Sequence, residues 1–199
     1  PMLYVADRDG SHLRALARNV GIFTSAKFSW SPDSQRLFFA GKRILPNGTM
    51  RSGVYSVEVD TGQTSLLTRD LRAGDPDLSP DGSTLAFIVY QDEATLLALC
   101  KADGSEIKTI TSAQAPYQAF SPSWSPDGQW IAFNCVWPDH SAIALIRPDG
   151  SDFRTLTSGK GFDIEPRFSP DGSQIVYASY SGGVPNVWIE RQYLRRISD

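Results

Sequence analysis

The sequence predicts an all-β protein built from repeated four-stranded antiparallel sheets, and three observations lead to this prediction. A Ser-Pro-Asp turn recurs four times at a near-constant spacing, a glycine turn recurs between its copies, and alternating apolar residues flank both turns. No segment keeps the 3.6-residue apolar period of an amphipathic helix. With 199 residues, 41% of them hydrophobic, the chain is long enough to bury a core as a single domain spanning 1–199.

The first turn is Ser-Pro-Asp, and its copies recur at intervals of about 46 residues, which indicates an internal repeat. Proline presets the backbone of a tight turn and aspartate bonds back to nearby amides, so the chain reverses between two strands. Ser34 replaces the glycine that ends the other three copies, and we expect this to weaken the first turn. The four copies begin at Ser31, Ser79, Ser125 and Ser169.

The second turn contains a glycine preceded by Asp or Thr and lies between an alternating apolar run and a Leu-Thr-like pair. Glycine supplies the positive backbone dihedral that tight hairpins need, so a two-residue hairpin is predicted at each copy. A fifth copy, near 187–198, lacks the glycine. The four complete copies contain Gly10, Gly62, Gly104 and Gly150.

Four short strands in each period of roughly 40 to 50 residues are typical of a β-propeller blade. We predict about four complete four-stranded antiparallel blades plus an orphan outer strand pair, which together form an arc of a larger ring. A closed ring of four or five blades is the alternative. Because exposed strand edges pair readily, self-association through an open edge is expected. The predicted blades are 27–68, 75–111, 121–157 and 165–198, and the orphan pair is 3–17.

The repeated pattern, an aromatic or leucine residue before Ser-Pro-Asp-Gly and then a Leu/Ile-Ala-Phe strand, resembles the repeats of TolB-like propellers, which are WD-repeat-like in organisation. The resemblance covers nearly the whole chain. It implies six blades in a complete ring and a non-catalytic scaffold for protein–protein interaction. If it extends to function, the setting is the bacterial periplasm, with partners in an envelope-spanning complex. Similar blades occur beside prolyl-oligopeptidase-type catalytic domains, so a substrate-gating segment of a multidomain hydrolase is an alternative.

Charge and motif content argue against several function classes. The formal net charge is −3 and the basic residues are scattered, so a nucleic-acid-binding face is not expected. The sequence lacks a nucleophile elbow and nucleotide cradles, and a calcium-like start at Asp7 meets Arg18 where an acidic ligand is required. We therefore predict no catalytic residue, metal site or cofactor. Cys100 and Cys135 are expected to be buried thiols, although a disulfide between them stays open.

The first candidate binding surface is the mouth of the central channel. The innermost strand of each later blade is predicted to begin at a residue followed by proline, and Lys27 holds the equivalent place in the first repeat. Repeat proteins present ligands at such equivalent positions, so a small-molecule or ion site here is a further alternative. The four residues are Lys27, Asp75, Ser121 and Glu165.

The second candidate surface comprises the loops between the inner and outer strand pairs. The first of these loops is predicted to span 41–53, and the third contains Trp137. Aromatic and arginine side chains are enriched at protein interfaces, so these loops are expected to bind a protein partner. The candidate interface residues are Arg43, Met50, Arg51, Trp137 and His140.

Overall fold

The computed structural model describes residues 3–17, 20–22, 27–44, 47–69, 71–158, 161–181 and 184–190. Strands are the regular elements of this part of the chain, which contains no helix and therefore none able to cross a membrane. In chain order the strands are β1 (Leu3–Val5), β2 (Arg14–Ala17), β3 (Gly21–Ile22), β4 (Phe28–Trp30), β5 (Arg36–Ile44), β6 (Met50–Glu58), β7 (Thr64–Leu66), β8 (Ala73–Leu78), β9 (Thr84–Tyr90), β10 (Thr95–Lys101), β11 (Lys108–Thr109), β12 (Gln118–Trp124), β13 (Ile131–Val136), β14 (Ser141–Ile146), β15 (Arg154–Thr155), β16 (Phe162–Phe168), β17 (Ile175–Ser181) and β18 (Val184–Glu190).

The strands form successive antiparallel sheets, as predicted. β1 and β2 pair as the outer pair of 3–17, the first blade contains β3–β7, and the second contains β8–β11. The third blade contains β12–β15 and the fourth contains β16–β18, joined by a single parallel pairing of Ser141 with Phe162. The second strand of the pair predicted near 187–198 falls at 191–199, outside the described residues.

The core lies between the sheets. Because the second strands of the first three blades, β5, β9 and β13, are covered on both faces over most of their length, each reads as an almost continuous apolar run and not as an alternating one. In the fourth blade Val176 and Tyr180 of β17 are exposed. Phe39, Phe87 and Phe133 hold the same place in successive blades, each with 0% exposure, and each packs against the preceding sheet. A smaller cluster with Ile175 joins the third blade to the fourth. The repeat alignment therefore predicts the packing between blades.

The Ser-Pro-Asp turns share one hydrogen-bond pattern in all four copies. In the second blade, the Ser79 hydroxyl donates to Asp81 Oδ1 over 2.5 Å and accepts from the Thr84 amide over 2.9 Å. The Gly82 amide closes the turn on the Ser79 carbonyl over 2.9 Å. Ser34 adopts φ of 59° and makes the same closing bond, so the first turn keeps the pattern without its glycine.

The outer turns are longer than the predicted two-residue hairpins. The Lys101 amide donates to the Ser105 carbonyl, which encloses three residues, and Gly104 at φ of 87° ends a tight turn within that loop. The expectation of two-residue loops was wrong because a glycine after Asp also suits a turn followed by one left-handed residue. A Cβ on Gly62 or Gly104 would lie 2.8 Å from the carbonyl oxygen of Leu16 or Leu67, respectively, in the preceding sheet. β1 and β2 therefore hold the outer position of a blade that precedes the first.

Two other sets of boundaries differ from prediction. The innermost strands begin at Ala73, Gln118 and Phe162, two or three residues before the predicted starts. Each strand passes its proline, which has no amide hydrogen, by a break in register. The predicted loop 41–53 is mostly strand, because β5 extends to Ile44 and β6 begins at Met50, around an Asn-Gly sequence that favours a tight turn.

Candidate functional site

The four predicted channel-mouth residues lie along the inner edge of the blades, and three of them form a repeated backbone feature. Asp75, Ser121 and Glu165 adopt positive φ values of 52°, 48° and 56° at the register breaks of β8, β12 and β16. Left-handed backbone is costly for residues with a Cβ. Its recurrence in three blades indicates that the fold requires this bulge, and it places these residues within the strands and not at their starts.

Lys27 joins three blades at this inner edge. Its side chain is 10% exposed, and its ammonium lies 2.9 Å from Asp77 Oδ1 in the second blade. The same Nζ donates to the Pro122 carbonyl in the third blade. The Ser121 amide also reaches Asp75 Oδ2 over 3.3 Å, so predicted positions of different blades do meet. Glu165 is exposed, and the described contacts do not bring it into this network.

Sequence reasoning missed the residues two positions further along each strand. Asp77 Oδ2 accepts the Trp124 amide over 2.7 Å, and Ser29 Oγ accepts the Leu78 amide over 2.9 Å. Both bonds run from one blade to the next at the same place in the repeat. The signal in the sequence is that Ser29, Asp77, Ser123 and Arg167 occupy equivalent positions in the four repeats. All four side chains are polar at a place where a buried strand is expected to have an apolar residue.

The electrostatics of this edge follow from burial. Burial lowers the pKa of Lys27 from its ordinary 10.5 to about 8, partly offset by the Asp77 carboxylate, and the positive charge of Arg167 adds to the decrease. Burial also raises the pKa of Tyr90, to which the negative charge of Asp75 contributes. Lys27 and Asp77 therefore lie in a poorly solvated place where they chiefly neutralise each other.

The candidate residues of the first blade lie on a projecting hairpin. Arg43 and Arg51 are directly paired across β5 and β6, and Ile44 pairs with Met50 one step nearer the tip. Each of these strands has nine residues, whereas the corresponding strands of the second and third blades have six or seven. Met50, Arg43 and Arg51 are therefore strand residues on an extended hairpin and not members of a long loop.

The candidate residues of the third blade stack in a tight turn. The Trp137 ring lies parallel to His140 at 4.7 Å between centroids, and His140 Nδ1 is 2.7 Å from Asp139 Oδ1. This hydrogen bond lowers the pKa of the Asp139 carboxyl. Tyr117 continues the cluster, edge-on to Trp137 and stacked on Phe153 at 5.3 Å. The turn presents aromatic surface, half-exposed, to solvent.

Both groups lie on one face of the molecule. In each blade the Ser-Pro-Asp and glycine turns lie at one end of the strands, and the connection from the second to the third strand lies at the other end. Both the hairpin tip and residues 137–140 are such connections. Neighbouring blades also make contact on this face, where the Gln118 side chain accepts a hydrogen bond from the Thr95 amide and donates one to the Glu93 carbonyl. The structure therefore brings the predicted interface residues to the same side, on blades that are not adjacent.

The cysteines are free and buried, which resolves the alternative that the sequence left open. Burial raises the pKa of both thiols, that of Cys100 to about 12. A thiolate is therefore strongly disfavoured at either position. Among the described residues no three His, Cys, Asp or Glu side chains gather as a metal site.

Comparison with known proteins identifies the repeated sheets. The family model for the TolB beta propeller domain matches residues 74–193. No curated protein sequence matches the chain significantly.

Solved structures share the fold. TolB from Acinetobacter baumannii superimposes with a TM-score of 0.73 at 20% identity, covering 96% of this chain and 46% of that one. A candidate TolB from Agrobacterium tumefaciens also gives 0.73 at 22% identity, covering 96% and 78%. An oligogalacturonate lyase in complex with manganese gives 0.63 at 16% identity, covering 96% and 71%. The sheets are therefore propeller blades, and the chain spans less than half of the Acinetobacter protein.

Proposed function

Because this chain belongs to the family of TolB β-propeller domains, we propose that it is a non-catalytic scaffold that binds a protein partner. The binding surface is the face that carries the connections between second and third strands. Under this proposal the setting resembles that of TolB, in the bacterial periplasm and within an envelope complex.

The observation that carries the proposal is the apolar tip of the β5–β6 hairpin. Ile44 is 71% exposed and Met50 is 60% exposed, and the two are paired across the strands. Isolated exposed apolar residues are ordinary, but a projecting pair flanked by arginines has the composition of an interaction site. The Trp137 and His140 stack adds aromatic surface on the same face.

Site-specific photo-crosslinking in the producing cells tests this proposal. A benzoylphenylalanine at position 44 or 50 of the full gene product is expected to give a discrete adduct with one partner protein. The matched control is position 129, an exposed residue in a Ser-Pro-Asp turn on the opposite face. Adducts of equal yield at all three positions, or none at 44 and 50, would contradict the proposal.

The hydrolase alternative predicts the same behaviour for the isolated chain. In that case the catalytic groups lie outside this chain, so the chain by itself is expected to hydrolyse neither peptide nor ester substrates under either hypothesis. Turnover that disappears in His140→Ala would contradict both and would give the Asp139–His140 pair a catalytic role. A linked serine-hydrolase domain in the full gene product would favour the gating function over the scaffold.

We further propose self-association through the pair β1–β2, whose sheet has two strands among the described residues while the blades have at least three. Light scattering is expected to show a mass that rises with concentration. Deleting residues 1–17 should reduce this association while β8–β15 stay folded. A constant monomer mass would contradict it.

A further inference from the structure

A cavity at the outer margin of the first blade gathers positive charge. It has a volume of about 280 Å³ and is open to solvent. Arg43 and Arg51 line it from β5 and β6, and Arg69 lines it from the segment after β7. The floor contains Leu66, Tyr55, Thr64 and Ser65. Hydroxyls and guanidinium groups are hydrogen-bond donors that match carboxylate and phosphate oxygens.

The arrangement of two of these arginines is unfavourable in isolation. Arg43 and Arg51 are directly opposite each other in the antiparallel ladder, and like charges in that position destabilise a hairpin. At the other end of the same ladder Arg36 is opposite Glu58, with Nε and Oε1 3.6 Å apart. One hairpin therefore carries an opposite-charge pair at its base and a like-charge pair near its tip.

Among the residues that the structure describes, no carboxylate forms an ion pair with Arg43 or Arg51. Between positions 36 and 69 the acidic residues are Glu58 and Asp60, and Glu58 already pairs with Arg36. Among the described residues, ion pairs are found for Arg36 and Arg147 but for none of the three cavity arginines. Their charge also reaches the cavity floor: burial raises the pKa of Tyr55, while Arg43 and Arg51 act in the opposite direction.

We propose that this cavity binds a small anion carrying at least two carboxylate or phosphate groups. The planar guanidinium groups bind the oxyanion groups in a bidentate manner, and the hydroxyl of Thr64, on the same face of the sheet as Tyr55, donates to a remaining oxygen. A volume slightly below the usual ligand-pocket range of about 300–1,000 Å³ suits such a compact ligand. Three arginines are too few for a surface that tracks a nucleic-acid backbone, so this site is compatible with the predicted absence of nucleic-acid binding.

Isothermal titration with citrate and with pyrophosphate, at constant ionic strength, tests the proposal. The unmodified chain is expected to bind one equivalent of at least one of these anions, and the anion should raise its melting temperature by mass action. Arg43→Gln and Arg51→Gln should each weaken binding by about tenfold or more, since each removes a charged donor pair. The matched control is Arg8→Gln, an exposed arginine in the 3–17 turn, which should bind as the unmodified chain does.

Several outcomes would overturn the site. One is a lack of saturable binding of either anion up to about 10 mM. Another is an equal loss of anion affinity in Arg8→Gln and in the cavity variants. A further one is binding of a hexaglutamate peptide without binding of citrate or pyrophosphate, which would assign the arginines to the carboxylates of a protein partner. Unfolding by urea verifies that each variant is folded. Ile44 and Met50 do not line the cavity, so the crosslinking experiment on the proposed protein interface fails or succeeds independently.

Discussion

The inner edge of the blades and the outer margin of the first blade treat charge in opposite ways. At the inner edge, Lys27 is almost buried and its ammonium is held by Asp77 and the Pro122 carbonyl, so the charge joins three blades. At the outer margin, Arg43, Arg51 and Arg69 surround a cavity and form no ion pair among the described residues. Paired, buried charge supports the architecture, whereas unpaired, accessible charge is available to a ligand.

The largest expected effect comes from removing the carboxylate of the inner edge. Asp77→Ala leaves the Lys27 ammonium buried without its partner and removes the acceptor for the Trp124 amide. Breaking one side of a buried ion pair typically costs about 3–5 kcal/mol, so the free energy of unfolding in urea should fall by that amount. Asp75→Asn, in the same strand, is the control and should cost less than about 1 kcal/mol. A loss below about 1 kcal/mol in Asp77→Ala would show that Lys27 does not depend on Asp77.

The second effect is a pH dependence of the inner edge. Because the pKa of Lys27 is about 8 in the folded chain and 10.5 ordinarily, the unfolded chain binds more protons between these two values. The unmodified chain should therefore gain stability relative to Lys27→Met as pH rises through this window, by at most about 1.4 kcal/mol per pH unit. Below the window the difference should be constant. Urea unfolding of both proteins across this range measures it, and a flat difference throughout would place the ammonium in a more solvated site.

A smaller effect is expected at the equivalent bond one blade earlier. Ser29→Ala removes the neutral acceptor of the Leu78 amide, which should cost about 1–2 kcal/mol and speed hydrogen exchange at that amide. The control is Ser83→Ala, which changes an exposed serine in the Ser-Pro-Asp turn of the second blade. It should change the free energy of unfolding by less than about 0.5 kcal/mol. Unchanged exchange at Leu78 would indicate that this amide is bonded elsewhere.

The smallest effect has the opposite sign and belongs to the outer margin. In buffer free of multivalent anions, Arg51→Gln should leave stability unchanged or raise it by up to about 0.5 kcal/mol, because it relieves repulsion from Arg43. Arg36→Gln, in the same ladder, should lower stability by up to about 1 kcal/mol by breaking its pair with Glu58. A clear loss in Arg51→Gln would mean that this arginine already has a stabilising partner.

The blades were predictable because their signals are local. The Ser79 hydroxyl, the Asp81 carboxylate and the Gly82 backbone all act within a few residues of one another, so the turn can be recognised from adjacent letters of the sequence. The equal environments of Phe87 and Phe133 followed from counting outward from these turns. The outer loop lengths were wrong because glycine at positive φ serves more than one type of turn.

The site was less predictable because its contacts join different repeats. Alignment of the repeats predicts Lys27 as a site residue, but its partner Asp77 is two positions away from the aligned residues and fifty residues away along the chain. The sequence predicts a loop at Arg43 and Arg51 and therefore does not predict that they are directly opposite each other in a ladder. The glycine turn at Gly62 predicts the return of β7, but the sequence does not indicate that Arg69, which follows this strand, lines the same cavity as Arg43 and Arg51.

The close approach of each glycine turn to the preceding sheet also has a consequence for the order of folding. Gly62 fits against the Leu16 carbonyl, Gly104 against that of Leu67, and Gly150 against that of Ile110. In each case a segment that comes earlier in the chain forms the surface against which the later turn packs. A chain leaving the ribosome can therefore assemble vectorially, each hairpin adding to a template that already exists, with contacts that span little more than one repeat.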